Sequence, residues 1–193
     1  MREISAIGGV PNLVMVAPCC PAEVGPLLDW CLDEHDGPSF LRMASLPADI
    51  DYELPAGYRP RVGQGAALTQ AKDVVLIGSG PTLLVQAVKA SRTLALAGIG
   101  LSVVNLPWLN RVDADWVAAM AAGRRLLVTL DDHYLSGGQG EKVMAALART
   151  GVSIPTLNLG LEGVPPSGQP GEVLQRLGLD ANGLATRISA ALQ

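Results

Sequence analysis

At 193 residues, 49% hydrophobic and 17% charged, the chain has the length and apolar content to bury a sizeable core, which excludes a disordered segment. A net charge of -4, with no stretch that concentrates Lys and Arg, excludes the electrostatic footprint of a nucleic-acid binder. No apolar run reaches the roughly 18 residues that a membrane helix requires. The N-terminus lacks a basic segment followed by an apolar core and a small-residue cleavage site, and the three cysteines include an adjacent pair, Cys19 and Cys20, that cannot easily bridge. A reduced, cytoplasmic setting is the expectation.

In chain order, Leu13-Val14-Met15-Val16-Ala17 is a short apolar run ended by Pro18, the pattern of a strand buried on both faces. Pro21 opens a helix on which Val24, Leu27, Leu28, Cys31 and Leu32 form one apolar stripe, with Glu23, Asp29 and Asp33 mostly off it. Asp36-Gly37-Pro38 breaks that helix, and Ser39 to Met43 reads as a second, parallel strand. One crossover unit does not make a stable domain, so residues 1–44 read as the incomplete tail of one. Residues 45–62 are rich in Pro, Asp and Tyr without either periodicity, which predicts a linker on a loose extended path.

A regular alternation follows. Strands are expected at Val74–Ile77, Leu101–Leu106, Leu126–Leu130 and Thr156–Leu159. Helices are expected from Pro81 to Gly98, from an Asp113 cap to Ala122, and over Glu141–Arg149, Glu172–Leu177 and Leu184–Leu192. Residues 63–193 therefore read as a three-layer α/β/α sandwich with a mostly parallel sheet.

Three segments are chemically suggestive. Gly78-Ser79-Gly80-Pro81-Thr82 joins a strand to a helix, where backbone N–H groups could hold an anion at Ser79 and Gly80; the alternative is a tight turn capped by Ser79. It lacks the further residues of a dinucleotide fingerprint or a P-loop. Asp131-Asp132-His133 closes a strand before Gly137-Gly138-Gln139-Gly140, and His133 is a candidate for proton exchange or a hydrogen-bonded seam residue. Arg42, at the end of a strand after Gly37-Pro38, could clamp a phosphate or form a surface ion pair. Cys19 and Cys20 read as buried and inert, His35 as a favourable helix C-terminal residue, and the two histidines have no Cys or carboxylate at ligand spacing for a metal site.

Taken in order, several strings resemble the C-terminal section of the transketolase superfamily. They are Val10-Pro11-Asn12-Leu13 through Val16-Ala17-Pro18, Glu23, Gly37-Pro38 with Arg42, Asp73 through Gly80, Leu106-Pro107 with Asp113, and Val128 through His133 before Gly137-Gly138. The resemblance implies that residues 1–44 close a pyrimidine-binding domain and that 63–193 are the transketolase C-terminal domain. It implies two-carbon ketol transfer or related 2-oxo acid chemistry, with thiamine diphosphate and magnesium in the complete enzyme and neither bound to this chain alone. The Gly-Asp-Gly motif that holds them does not occur in this sequence. A homodimer or a partner chain carrying the diphosphate- and pyrimidine-binding domains is implied, with a sugar phosphate or 2-oxo acid as substrate. Arg42 matches an acceptor-phosphate ligand. His133 matches the position after a Glu-Glu pair, here Asp131-Asp132, and is the candidate catalytic residue. The competing reading is a noncatalytic α/β module that self-associates or binds a small anion.

Overall fold

The computed structural model describes residues 2–45 and 47–193. The first part contains α1 (Glu3–Ile7), β1 (Val14–Val16), α2 (Pro21–Asp29) and β2 (Ser39–Leu41). Strands β1 and β2 pair in parallel, with Val14 opposite Ser39 and Val16 opposite Leu41. Pro21 starts α2 at its first turn, where its missing N–H costs nothing. Beyond Asp29 the helix widens into a π-helical turn, Trp30–Glu34.

That widening corrects the expected stripe. Leu27 is fully buried, but Leu28, within α2, and Leu32 face outward at 41% and 71% exposure; for Leu32 the 3.6-residue period does not persist through the π turn. Glu23, expected off the stripe, is fully buried instead.

The second part is a five-stranded sheet in the order β3-β5-β4-β6-β7. Its strands are β3 (Ala66–Ala67), β4 (Val74–Gly78), β5 (Leu101–Asn105), β6 (Leu126–Tyr134) and β7 (Thr156–Leu161). All pair in parallel except β3, an antiparallel edge on β5 too short for an alternation pattern to reveal. The helices are α3 (Pro81–Leu96), α4 (Ala114–Ala121), α5 (Gln139–Ala148), α6 (Pro170–Leu177) and α7 (Ala181–Ala191). Alternation along the strands divides the core. Val74, Leu76, Val103 and Val128 face α3 and α7, whereas Val75, Ile77, Val104 and Leu127 face α4 and α5. This is the expected three-layer sandwich.

Several boundaries shift for identifiable reasons. β6 runs on to Tyr134 through an irregularity between Leu130 and Tyr134, so Asp131, Asp132 and His133 lie within the strand. α6 begins at Pro170 because Gln169 and Glu172 form a capping box, and α7 begins at Ala181 because Asp180 accepts from the Gly183 amide.

The two parts share one core. Val14, Val16 and Leu27 pack with Val75, Ile77 and Trp108, and Val16 forms an antiparallel bridge to Trp108. Among its described residues the linker has no regular element before β3, but it is pinned, which corrects the expected loose path. Ile50, Tyr52 and Leu54 pack on the α3 face, and the Tyr52 hydroxyl donates to the Cys19 carbonyl. The aromatic residues read as linker composition serve as anchors.

Candidate functional site

The carboxyl ends of β2, β4 and β6 converge, which is where parallel sheets leave a crevice for ligands. Arg42 follows β2, Gly80-Pro81-Thr82 opens α3 after β4, and Asp132 comes from β6. With Ala17, Met43, Ala44 and Ser45 these residues line a cavity of about 250 Å³. Two segments singled out separately in the sequence, Arg42 and the Gly78-Ser79-Gly80 turn, thus meet in one place.

Arg42 is not a free cation. Its Nε lies 2.7 Å from Glu3 Oε1, and its Nη2 donates to the Asp132 carbonyl oxygen at 2.8 Å and to Asp132 Oδ2 at 3.3 Å. Burial works to raise the Glu3 carboxyl, but hydrogen bonding from its own backbone amide and the Arg42 guanidinium help to outweigh it and hold Glu3 at about 2. Asp132 goes the other way: burial raises it in spite of Arg42.

At the β4–α3 turn, Gly80 occupies the cap position with φ 72°, and no side chain caps the helix, so the alternative of a Ser79 cap is corrected. A positive φ of this size favours glycine. Ser79 is buried beneath the turn.

His133 is not brought to the cavity. Its ring has no exposed surface, and Nδ1 lies 2.7 Å from the Tyr134 carbonyl oxygen, which can only accept, so this nitrogen donates. Nε2 is buried without a partner among the described residues. A substrate cannot reach a ring enclosed in this way, so the expectation of direct proton exchange at His133 is corrected to a packed residue of β6.

Asp131 has a structural task. Its carboxylate accepts from the Gln139 amide at 2.8 Å and the Gly140 amide at 2.9 Å, capping α5. Burial pushes it up to about 7 against those bonds. The glycines that follow permit this approach: a Cβ on Gly140 would sit 2.5 Å from Thr129 Oγ1 and 2.6 Å from Asp131 Oδ2.

A second polar centre lies where α2, the linker and β5 meet. Glu23 Oε2 accepts from the Cys19 amide at 2.7 Å, Oε1 accepts from the Tyr58 hydroxyl at 2.6 Å, and Asn105 Nδ2 bridges both oxygens at 2.8 and 3.0 Å. Burial raises Glu23 in spite of these donors. The Cys19 thiol is raised too, first by burial and then by Glu23 beside it, which makes it a poor nucleophile. Sequence reasoning missed Asn105 and Tyr58. The available signal was a polar residue ending the apolar run Leu101–Asn105. His35 stacks on Trp30 and approaches the Asn12 carbonyl at 2.9 Å. Among the described residues, no group of three or more His, Cys, Asp and Glu side chains could hold a metal ion. No helix there is long and apolar enough to cross a membrane.

Comparison with known proteins places these features in context. The family model for the transketolase C-terminal domain matches residues 63–184. The 1-deoxy-D-xylulose-5-phosphate synthase of Thiobacillus denitrificans is 32% identical over 192 residues, covering 98% of this chain and 30% of the relative. That of Mycobacterium avium is 33% identical over 197 residues, with 98% and 30% covered. The chain thus spans about 30% of the length of the curated relatives it matches. Among solved structures, an inactive beta4 tetramer of a split-gene transketolase superposes with a TM-score of 0.88 at 24% identity, over 99% of this chain and 61% of that one. A mutant transketolase of Pichia stipitis in complex with fructose-6-phosphate superposes with a TM-score of 0.73 at 15% identity, over 100% and 27%. At these identities the structures speak to the fold alone.

Proposed function

Because the chain belongs to the transketolase C-terminal-domain family, we propose that it is the C-terminal section of a thiamine-diphosphate-dependent transferase of the transketolase and 1-deoxyxylulose-5-phosphate synthase type, inactive alone. In this reading residues 1–44 close a pyrimidine-binding domain, 45–62 link it to the next, and 63–193 form the C-terminal domain, which supports dimerisation and shapes the substrate entrance. In this reading the chain self-associates as a homodimer or joins a partner chain that supplies the remaining domains, in the cytoplasm.

One observation carries the reading. The β2 end and the α3 start, one from each part of the chain, meet at a cavity that holds Arg42. A guanidinium at such a crevice suits an acceptor phosphate, so Arg42 is assigned to substrate binding. Gly80, Pro81 and Thr82 add the N-terminal end of α3 to the same wall.

The cofactor itself does not fit the residues of this chain. The sequence contains no Gly-Asp-Gly motif, and among the described residues there is no acidic cluster to hold magnesium with a diphosphate. No chemical step is therefore assigned to these residues beyond binding and positioning the acceptor.

Calorimetric titration tests the division of labour. The isolated chain should show no heat with thiamine diphosphate and magnesium, and saturable binding should appear once a chain carrying the diphosphate- and pyrimidine-binding domains is added. Binding by the isolated chain, or none by the mixture, would overturn the reading.

A further inference from the structure

Acidic side chains outnumber basic ones in this chain, 18 against 14. Cations that gather without carboxylate partners run against that balance, and they do so at one place. Arg111, in the loop between β5 and α4, lines a trough of about 500 Å³ together with Lys142 of α5 and Arg149 at the C-terminal end of that helix. Among the described residues the salt bridges involve Arg42 and Arg92, and none of these three cations forms one. Arg111 and Lys142 are half-buried, which makes an unpaired charge more costly than it is at full exposure. A single carboxylate, Glu141, lines the trough, and its Oε2 is occupied by the Gly137 amide at 2.8 Å.

The shape of the trough follows from the sequence of α5. Lys142, Ala145, Ala146 and Arg149 are spaced i, i+3, i+4, i+7, so they share one side of the helix. Two alanines leave a low floor between cations whose Cα atoms are ~10 Å apart along the axis. The opposite wall is rigid. Asn110 accepts from the Met15 amide at 2.9 Å and donates to the carbonyls of Gly8 and Leu13 at 3.2 and 2.9 Å, and the Asp113 amide donates to the Gly63 carbonyl at 2.9 Å. Arg111 is thereby held from both sides, and its guanidinium spends one N–H, at 3.4 Å, on the Asn110 carbonyl. Its other donors have no partner among the described residues. A pre-positioned guanidinium loses little freedom when an anion arrives.

We propose that this trough is a binding site for an oligophosphate, a chain of linked phosphates gripped by Arg111 on one wall and by Lys142 and Arg149 at the two ends of the other. A single phosphate meets one end of the span, whereas linked phosphates present an anionic oxygen to each cation. Free polyphosphate and the phosphate tail of a nucleotide share this chemistry. No aromatic side chain lines the trough to stack on a base, so the phosphates alone are recognised. The site has no lining residue in common with the Arg42 cavity and stands apart from the reading of that cavity.

Calorimetric titration of the full chain with tripolyphosphate in magnesium-free buffer is the test, with backbone amide resonances locating the bound anion. Saturable binding is expected, with shifts concentrated at residues 110–112 and 141–149 and an affinity that falls with added salt. Arg111→Ala and the double variant Lys142→Ala/Arg149→Ala should each weaken binding at least ~tenfold, the loss of one or more charged hydrogen bonds. Alanine is the best helix former, so the changes on α5 leave the helix intact. Arg187→Ala removes the same charge from the exposed side of α7, across the sheet from α5, and should stay within ~twofold of the unaltered chain. Inorganic monophosphate should bind at least ~tenfold more weakly than tripolyphosphate, and a nucleoside triphosphate should match tripolyphosphate. Absence of saturable binding, an equal loss in Arg187→Ala, or shifts confined to the surroundings of Arg42 would overturn the proposal. So would monophosphate binding as tightly as tripolyphosphate, or a nucleotide preferred by more than ~tenfold, which would place recognition in the base.

Discussion

Arg42 shows how one side chain gains its role from three distant segments. It follows β2, pairs with Glu3 of α1, and reaches Asp132 of β6 across the joint between the two parts of the chain. In the assembled enzyme, Arg42→Ala should weaken binding of phosphorylated acceptors by about 1.5–3 kcal/mol, the range for hydrogen bonds to charged groups. Kinetics with paired phosphorylated and unphosphorylated acceptors check this, and an equal loss with both removes the assignment. Gly140 is a second position where one atom decides. With Thr129 Oγ1 and Asp131 Oδ2 in the way of a Cβ, Gly140→Ala should cost about 1–3 kcal/mol, read from denaturant unfolding. The sequence offered these residues unevenly. The Gly-rich run after Asp131 was visible, but that its glycines let α5 settle on a buried carboxylate follows only from the packing. His133, prominent in the sequence beside two acidic residues, is enclosed because β6 continues past Leu130 instead of ending there.

At the scale of elements, the Glu23 centre ties α2 to the linker and to β5. Removing the carboxylate in Glu23→Ala would leave the Asn105 amide, the Tyr58 hydroxyl and the Cys19 amide without their shared acceptor. Each orphaned buried donor costs about 1–3 kcal/mol unless water replaces it. We expect a loss of at least about 2 kcal/mol, accompanied by faster proteolytic cleavage between residues 47 and 62, where Tyr58 would no longer be held. An unchanged cleavage rate would mean that the apolar contacts of Ile50, Tyr52 and Leu54 suffice to anchor the segment. The elements themselves were largely legible, because continuous apolar runs and Pro or Asp helix starts are local signals. What escaped was non-local: the two-residue strand β3, whose identity depends on pairing with β5, and the π turn that rotates Leu32 out of the stripe.

For the whole molecule, buried carboxyls give stability a definite dependence on pH. Asp131 is raised from 3.8 to about 7, and Glu23 and Asp132 are raised as well, all by burial. A carboxyl whose folded value exceeds its unfolded value keeps its proton longer in the folded state, so stability falls as pH rises between the two. For Asp131 that window runs from about 4 to about 7. Glu3, lowered from 4.5 to about 2, acts in the opposite sense, and its contribution is lost only as pH falls toward about 2. The melting temperature should therefore be higher near pH 5 than near pH 8, and Asp131→Asn should flatten the difference. A melting temperature that is constant or rises over that range would contradict the burial-driven shifts.

A two-stranded parallel sheet packs through a shared core onto a five-stranded one, and the central claim, a proposal, is that this chain is one section of a larger thiamine-dependent transferase. The most direct measurement adds increasing amounts of this chain to a fixed amount of a chain carrying the diphosphate- and pyrimidine-binding domains, with thiamine diphosphate and magnesium present, and follows two-carbon transfer from a sugar phosphate or a 2-oxo acid. The account predicts no transfer from either chain alone, and activity that rises with added chain to a plateau near equimolar amounts and disappears without the cofactor. Transfer by this chain alone, or no transfer from the mixture with any such substrate, would contradict it.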